Sequence, residues 1–252
     1  MKLSRKKKGI IINTVWGLCA LLFLALFWLI AYFAIGNDYI LPSPWLTVVK
    51  SFEAFATADF WWAFASACLR ALIAFSISAV LAFVFALISY LYPSFGRVFT
   101  AICAVLRSLP TMAALLILLF LFRRAEVPVA VGVLTLTPVL FTGYFNAFSG
   151  VDKGLIEMSK TFGVPLKKRL VSLYIPSMKG VLILESASSL SFSLKIIVSA
   201  EILANVAGSL GKQMFDAANY GQTPTLYALT LIVCLLGLLI EWSAGLIAKE
   251  GV

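Results

Sequence analysis

Six charged side chains stand inside stretches that are otherwise strongly apolar: Arg70, Arg107, Glu185, Lys195, Glu201 and Glu241. They are the residues with chemistry to offer, and the question is which chemistry. The chain contains no histidine, so the commonest general base and the commonest metal ligand are both missing. The carboxylates are scattered, and no nucleophile stands beside a base in any recognisable spacing. The four cysteines, Cys19, Cys68, Cys103 and Cys234, lie in apolar runs without a CxxC pair and read as small buried hydrophobes. No GxxxxGK[ST] phosphate loop occurs, so the chain holds no nucleotide site of that type. No catalytic residue, metal site or cofactor is expected. What remains for these charges is contact with a solute or with one another.

The elements that must position them are membrane helices. Of 252 residues, 62% are hydrophobic and 12% charged, and the mean hydropathy is +1.02. A soluble domain carries about 25% charged residues. The alternation expected of a membrane β-barrel is absent, so the fold class is all-α and polytopic. Runs near the roughly 20 residues that cross a bilayer occur at about 10–35, 63–91, 98–122, 127–149, 179–200 and 223–247, giving about six spans. Lys2, Arg5, Lys6, Lys7 and Lys8 precede the first run, the order of a secretory signal. A signal core is about 7–15 residues long, however, and this one runs uncharged from Gly9 to Asn37 without a small-x-small cleavage site, so it reads as a retained span. After it, Trp45, Val48, Val49, Phe52 and Phe55 fall at helical spacing in an amphipathic stretch expected on the outer surface.

Placing the N-terminus inside puts thirteen Lys and Arg on the cytoplasmic side against four outside. This bias sets both termini in the cytoplasm and accounts for the net charge of +9 without nucleic acid. Anionic lipid headgroups favour the same side.

One connecting stretch differs from the rest. "IEMSKTFGVPLKKRLVSLYIPS" (156–177) is polar, basic and punctuated by Gly163, Pro165 and Pro176. Leu155, Met158, Phe162, Leu166, Leu170 and Leu173 recur every three or four residues, one face of a helix. Gly163 suits a helix stop, Pro165 the first turn of a second helix, and Pro176 a bend before the fifth span. The expectation is two short helices meeting at an elbow, with the apolar face on the membrane domain and Lys160, Lys167, Lys168 and Arg169 outward. Gly163 is read as a place of close backbone approach, and Glu157 as an acidic group favouring a helix's first turn. The plainer alternative is a basic amphipathic connector lying on lipid.

Spacing favours the elbow. Glu157 stands six residues before Gly163, and Pro176 thirteen after it, with Leu173 and Ile175 between. This resembles the cytoplasmic loop of ATP-binding-cassette (ABC) importer permeases, Glu-Ala-Ala, three residues, Gly, nine residues, Ile-x-Leu-Pro; Met158-Ser159 replaces Ala-Ala. "YILPSPWLTV" (39–48), "LRSLPTMAALLILLFLF" (106–122), "FSGVDKGLIEMSKTFGVP" (148–165) and "SLKIIVSAEILANVAGSLG" (193–211) are similar to segments of the nitrate, sulfonate and taurine branch of these permeases. Together they cover about residues 39–247.

The resemblance implies a membrane-spanning subunit of a type I importer for a small anionic or zwitterionic solute. Its partners would be cytoplasmic ATPase subunits, an extracytoplasmic substrate-binding protein and a second permease chain, most simply a homodimer. The loop at 150–178 would be the coupling helix, with Glu157, Ser159, Lys160, Thr161, Phe162, Gly163 and Pro176 meeting the ATPase. Residues 1–61 would form the N-terminal tail, first span and outer segment, 62–247 the permease domain, and 248–252 a cytoplasmic tail. Arg107, Pro110, Lys195, Glu201, Gly208 and Gly211 are candidates for the translocation path or its gate. Pro110 is expected to bend the third span, and Arg107 either snorkels to the interface or lines a route for an anion. Lys195 and Glu201 either pair or frame a gate with the "GSLG" at 208–211. Arg70, Glu185 and Glu241 are expected to reach the interfaces. A secondary transporter would show matched inverted repeats, and a membrane enzyme a convergent reactive set; neither is visible.

Overall fold

The computed structural model describes the backbone of residues 2–250, and side chains except at 2–16, 18, 21 and 244–250. In chain order the elements are α1 (Lys2–Ile35), α2 (Pro44–Phe55), α3 (Ala58–Leu91), α4 (Pro93–Ser108), α5 (Thr111–Leu121), α6 (Val127–Ser149), α7 (Lys153–Thr161) and α8 (Leu166–Arg169). A π-helical turn (Leu170–Tyr174), α9 (Ile175–Ala204), α10 (Leu210–Asn219) and α11 (Thr223–Glu250) complete them. No strand occurs among the described residues.

Four helical runs there are long and apolar enough to cross a bilayer: Ala58–Leu91, Val127–Ser149, Leu166–Ala204 and Thr223–Ser243. The expected third span is bent at Pro110. α4 and α5 meet at a 94° bend, which makes a fifth crossing only if the pair is counted as one. Pro110 has no N–H to continue α4, and the residue before a proline is pushed to extended backbone, as Leu109 is at ψ 125°. The expected first span falls on α1, part of whose side chains lie outside the described residues; its described apolar stretch is Leu22–Ile35. The expected tail at 248–252 also lies outside the described side chains.

The chain divides into two compact units. The smaller comprises residues 1–57 and 214–231. Within it Trp28 donates its indole N–H to the Pro42 carbonyl at 3.1 Å, and the Thr223 hydroxyl donates to the Tyr39 carbonyl at 2.7 Å. Ser43 caps α2 by accepting from the Leu46 N–H, and Pro44 opens the helix. α2 buries Thr47 and Ser51, while Trp45, Val48, Phe52 and Phe55 are exposed.

The larger unit, 58–213 and 232–252, is built on a seam of small residues. Ala63, Ala67, Ala71, Ala74, Ser78, Ala82, Ala86 and Ser89 recur every three or four positions along α3, and all are buried. Where lipid replaces water, close packing of small residues holds helices together. At Gly132 of α6 a Cβ would stand 2.8 Å from that of Ala74. An aromatic knot of Phe83, Tyr90, Phe148 and Tyr174 joins the ends of α3 and α6 to the π-helical turn. Of the cysteines, Cys103 alone is buried and Cys68 half-buried; Cys19 and Cys234 are exposed, so the expectation of four buried thiols fails for these two. Small apolar side chains suit a lipid-facing surface as well as a core.

Candidate functional site: an elbow and an interior ion pair

Asp152 starts the elbow. Its carboxylate accepts from the Gly154 N–H at 2.7 Å and the Leu155 N–H at 3.2 Å, capping α7. Glu157, expected to serve the helix start, is exposed one turn further on and forms no ion pair among the described residues. α7 ends in a Schellman motif: the Gly163 N–H donates to the Lys160 carbonyl at 2.9 Å, and the Val164 N–H to Ser159 at 3.0 Å. Gly163 has φ 67°, where an L side chain is strained. A Cβ there would meet nothing within 4 Å. Glycine is required by the turn, and the expected close backbone approach is absent from this chain. Pro165 is the N-cap of α8 rather than a residue of its first turn. Pro176 sits in the first turn of α9, which continues from α8 and the π-helical turn as one run, Leu166–Ala204, so the expected second short helix is the start of the span.

The elbow's covered side also differs from the expected stripe. Ile156, Tyr174 and Met178 are buried and Leu170 and Leu173 half-buried, whereas Leu155, Met158, Phe162 and Leu166 are exposed, Phe162 by 79%. The cause is rotation: α7 turns Ile156 and the half-buried Ser159 inward. The stripe drawn across both helices assumed one continuous phase, which the Schellman turn breaks. An apolar face with Glu157, Lys160 and Thr161 beside it is left uncovered.

The second candidate lies at the other end of α9. The Glu201 side chain is 0% exposed. Its Oε1 accepts from Arg70 Nη1 at 2.5 Å and its Oε2 from the Gly211 N–H at 3.0 Å. Arg70, expected at an interface, instead points inward from α3, with a further contact to the Ser66 hydroxyl at 3.3 Å. Glu201 therefore pairs with Arg70 and not with Lys195. The pair ties α3, the end of α9 and the start of α10 together. Asn205 (φ 51°) and Gly208 (φ 67°) reverse the chain between α9 and α10. At Gly211 a Cβ would stand 2.6 Å from the Ile202 nitrogen, so the two helices approach as closely as backbones allow. Glu185 is also turned inward, its carboxylate lying over Gly143 of α6, where a Cβ would come within 2.6 Å of Oε2.

Lys195 is exposed on α9 and has no ion-pair partner among the described residues. It lines a cavity of about 270 Å³. Arg107 is exposed in the last turn of α4, just before the break at Pro110, and does not line that cavity. Among the described residues no group of His, Cys, Asp and Glu could hold a metal ion.

Apolar helices long enough to cross a bilayer, one pair of them sharply bent, with an interior ion pair and an uncovered elbow between two spans, define a multi-pass membrane protein. The chain belongs to the family of binding-protein-dependent transport system inner membrane components, whose model matches residues 77–250. It is 27% identical over 217 residues to the "Putative aliphatic sulfonates transport permease protein SsuC" of Escherichia coli (strain K12), covering 83% of this chain and 80% of that protein. Two inward-facing structures of the MetNI methionine ABC transporter share its fold. Their TM-scores are 0.63 and 0.60 at 17% and 18% identity, and each comparison covers 78% of this chain and 99% of theirs. The chain is a permease subunit of a type I ABC importer, a family of transporters rather than catalysts.

Proposed function

We propose that this subunit forms the translocation path for a small anionic or zwitterionic solute handed over by an extracytoplasmic binding protein. Separate ATPase subunits drive it by docking on the elbow at 150–178. In this reading both termini face the cytoplasm, the chain resides in the cytoplasmic membrane, and two copies pair. Residues 62–247 form the permease domain. ATP-driven closure of the ATPases moves the two elbows and switches the spans between inward-open and outward-open states.

The observation that carries the reading is the uncovered face of the elbow. Met158, Phe162 and Leu166 are exposed beside Glu157, Ser159, Lys160 and Thr161, around a turn that only Gly163 closes without strain. An exposed apolar patch rimmed by charge marks a docking surface. Tyr174 links that surface to the ends of α3 and α6, and Pro176 to α9. Gly163→Leu tests it in vesicles carrying the whole importer. Uptake should fall at least about tenfold, and the ATPase should no longer co-purify, while membrane insertion persists. Full uptake with the ATPase retained would end the proposal.

A further inference from the structure

α9 presents an uncovered face: Val181, Leu184, Ser188, Phe192, Lys195, Ser199 and Leu203 are all exposed, at steps of three or four. A lysine on a membrane helix is costly against acyl chains and is found facing bundle interiors or water-filled routes. At Lys195 this face meets the broken helix. Thr111 and Met112, the first residues of α5, share the 270 Å³ cavity with Lys195 and Ser199; Leu115, Phe192 and Leu203 contribute apolar wall.

Among the described residues, the polar side chains lining this cavity make no hydrogen bond or ion pair. The hydroxyls of Thr135, Thr137 and Thr142 all donate back to carbonyls one turn earlier in α6. Among the described residues the Thr111 and Ser199 hydroxyls make no such bond, and Lys195 has neither hydrogen bond nor ion pair. Ser199 lies one turn beyond Lys195 on the same face. The lysine stem passes Gly237 of α11 at ordinary contact distance, since a Cβ there would stand 3.6 Å from its Cε. The uncapped start of α5 adds backbone N–H groups with no side-chain cap, at the positive end of the helix dipole.

We infer that this cavity is an anion subsite: Lys195 binds the oxyanion head of a small amphiphilic solute, Thr111 and Ser199 donate to it, and Phe192, Leu115 and Leu203 cover its apolar tail. The volume stands at the small end of ligand pockets, about 300–1,000 Å³, and suits a short alkyl sulfonate or carboxylate. A fixed ammonium with hydroxyl donors in an apolar wall selects charge first and tail length second. The inference rests on the permease reading above, and it names the solute class.

The test is a calorimetric titration of the full-length chain in detergent with 1-butanesulfonate. Saturable binding is expected, weakened at least about tenfold by Lys195→Met and retained by Lys195→Arg. Lys179→Met, an exposed lysine near the start of α9, should bind as wild type, and 1-butanol, which has the tail without the charge, should not saturate. Equal binding by Lys195→Met, saturation by 1-butanol or no binding at all would overturn the subsite. So would dissociation of a wild-type dimer by Lys195→Met, which would assign the charge to an interface between copies. Failure of the permease reading is separable: it would appear as no ATP-dependent uptake by the wild-type importer, whatever the titration shows.

Discussion

Two of the left-handed glycines of the chain, Gly163 and Gly208, share a φ of 67°. Their surroundings are opposite. Around Gly163 the side chains are exposed and the charges unpaired. Three residues beyond Gly208, Gly211 is pressed against α9, and the carboxylate of Glu201 is held by Arg70 and by the Gly211 N–H. The same local geometry thus serves an uncovered surface and a joint closed on itself. What separates them is not the turn but whether the neighbouring polar groups are satisfied within the chain.

Breaking the closed joint should cost most. Glu201→Ala leaves Arg70 as an uncompensated charge, and removing one partner of a buried pair costs about 3–5 kcal/mol. A large fall in the melting temperature of the detergent-purified chain should follow, while Arg70→Met with Glu201→Met should recover much of it. If the single variant melts as wild type, the joint carries no such weight. Gly132→Val tests the same principle in the seam, where α6 meets Ala74 and overpacking costs about 1–3 kcal/mol; an unchanged melting temperature would show that the helices part easily. Asp152→Ala sharpens the other side of the comparison. Loss of the α7 cap costs about 1 kcal/mol, so a small thermal shift should accompany a measurable loss of ATPase co-purification. A loss of overall stability as large as that of Glu201→Ala would mean that the elbow is not a separately held element.

Much of the elbow was legible because its signals are local. Gly163 after a basic helical turn and Pro165 beyond it act through backbone geometry within four residues, and the helix boundaries followed. Its buried face was misjudged because the phase was carried from Leu155 to Leu173 across a turn that resets it. Asp152 was passed over as a cap, although an Asp before Lys153-Gly154 is an ordinary cap signal. The alanine seam of α3 was also open to reading, in the recurrence of Ala every three or four residues from Ala63 to Ala86. Hydropathy hid it, since alanine counts there as one more apolar residue.

Composition and charge alone determined that this protein is an all-helical membrane chain, because a bilayer core admits few other ways to satisfy a backbone and 12% charged residues cannot solvate a globule. Short motifs at fixed spacing determined the elbow and the break at Pro110. Which charge meets which was decided only by the fold. Arg70 and Glu201 are 131 residues apart, and no local rule distinguishes Arg70 from Lys195 as the partner of Glu201. The small residues of α3 let α6 and α9 approach until one arginine reaches the carboxylate, and that same packing leaves the lysine free.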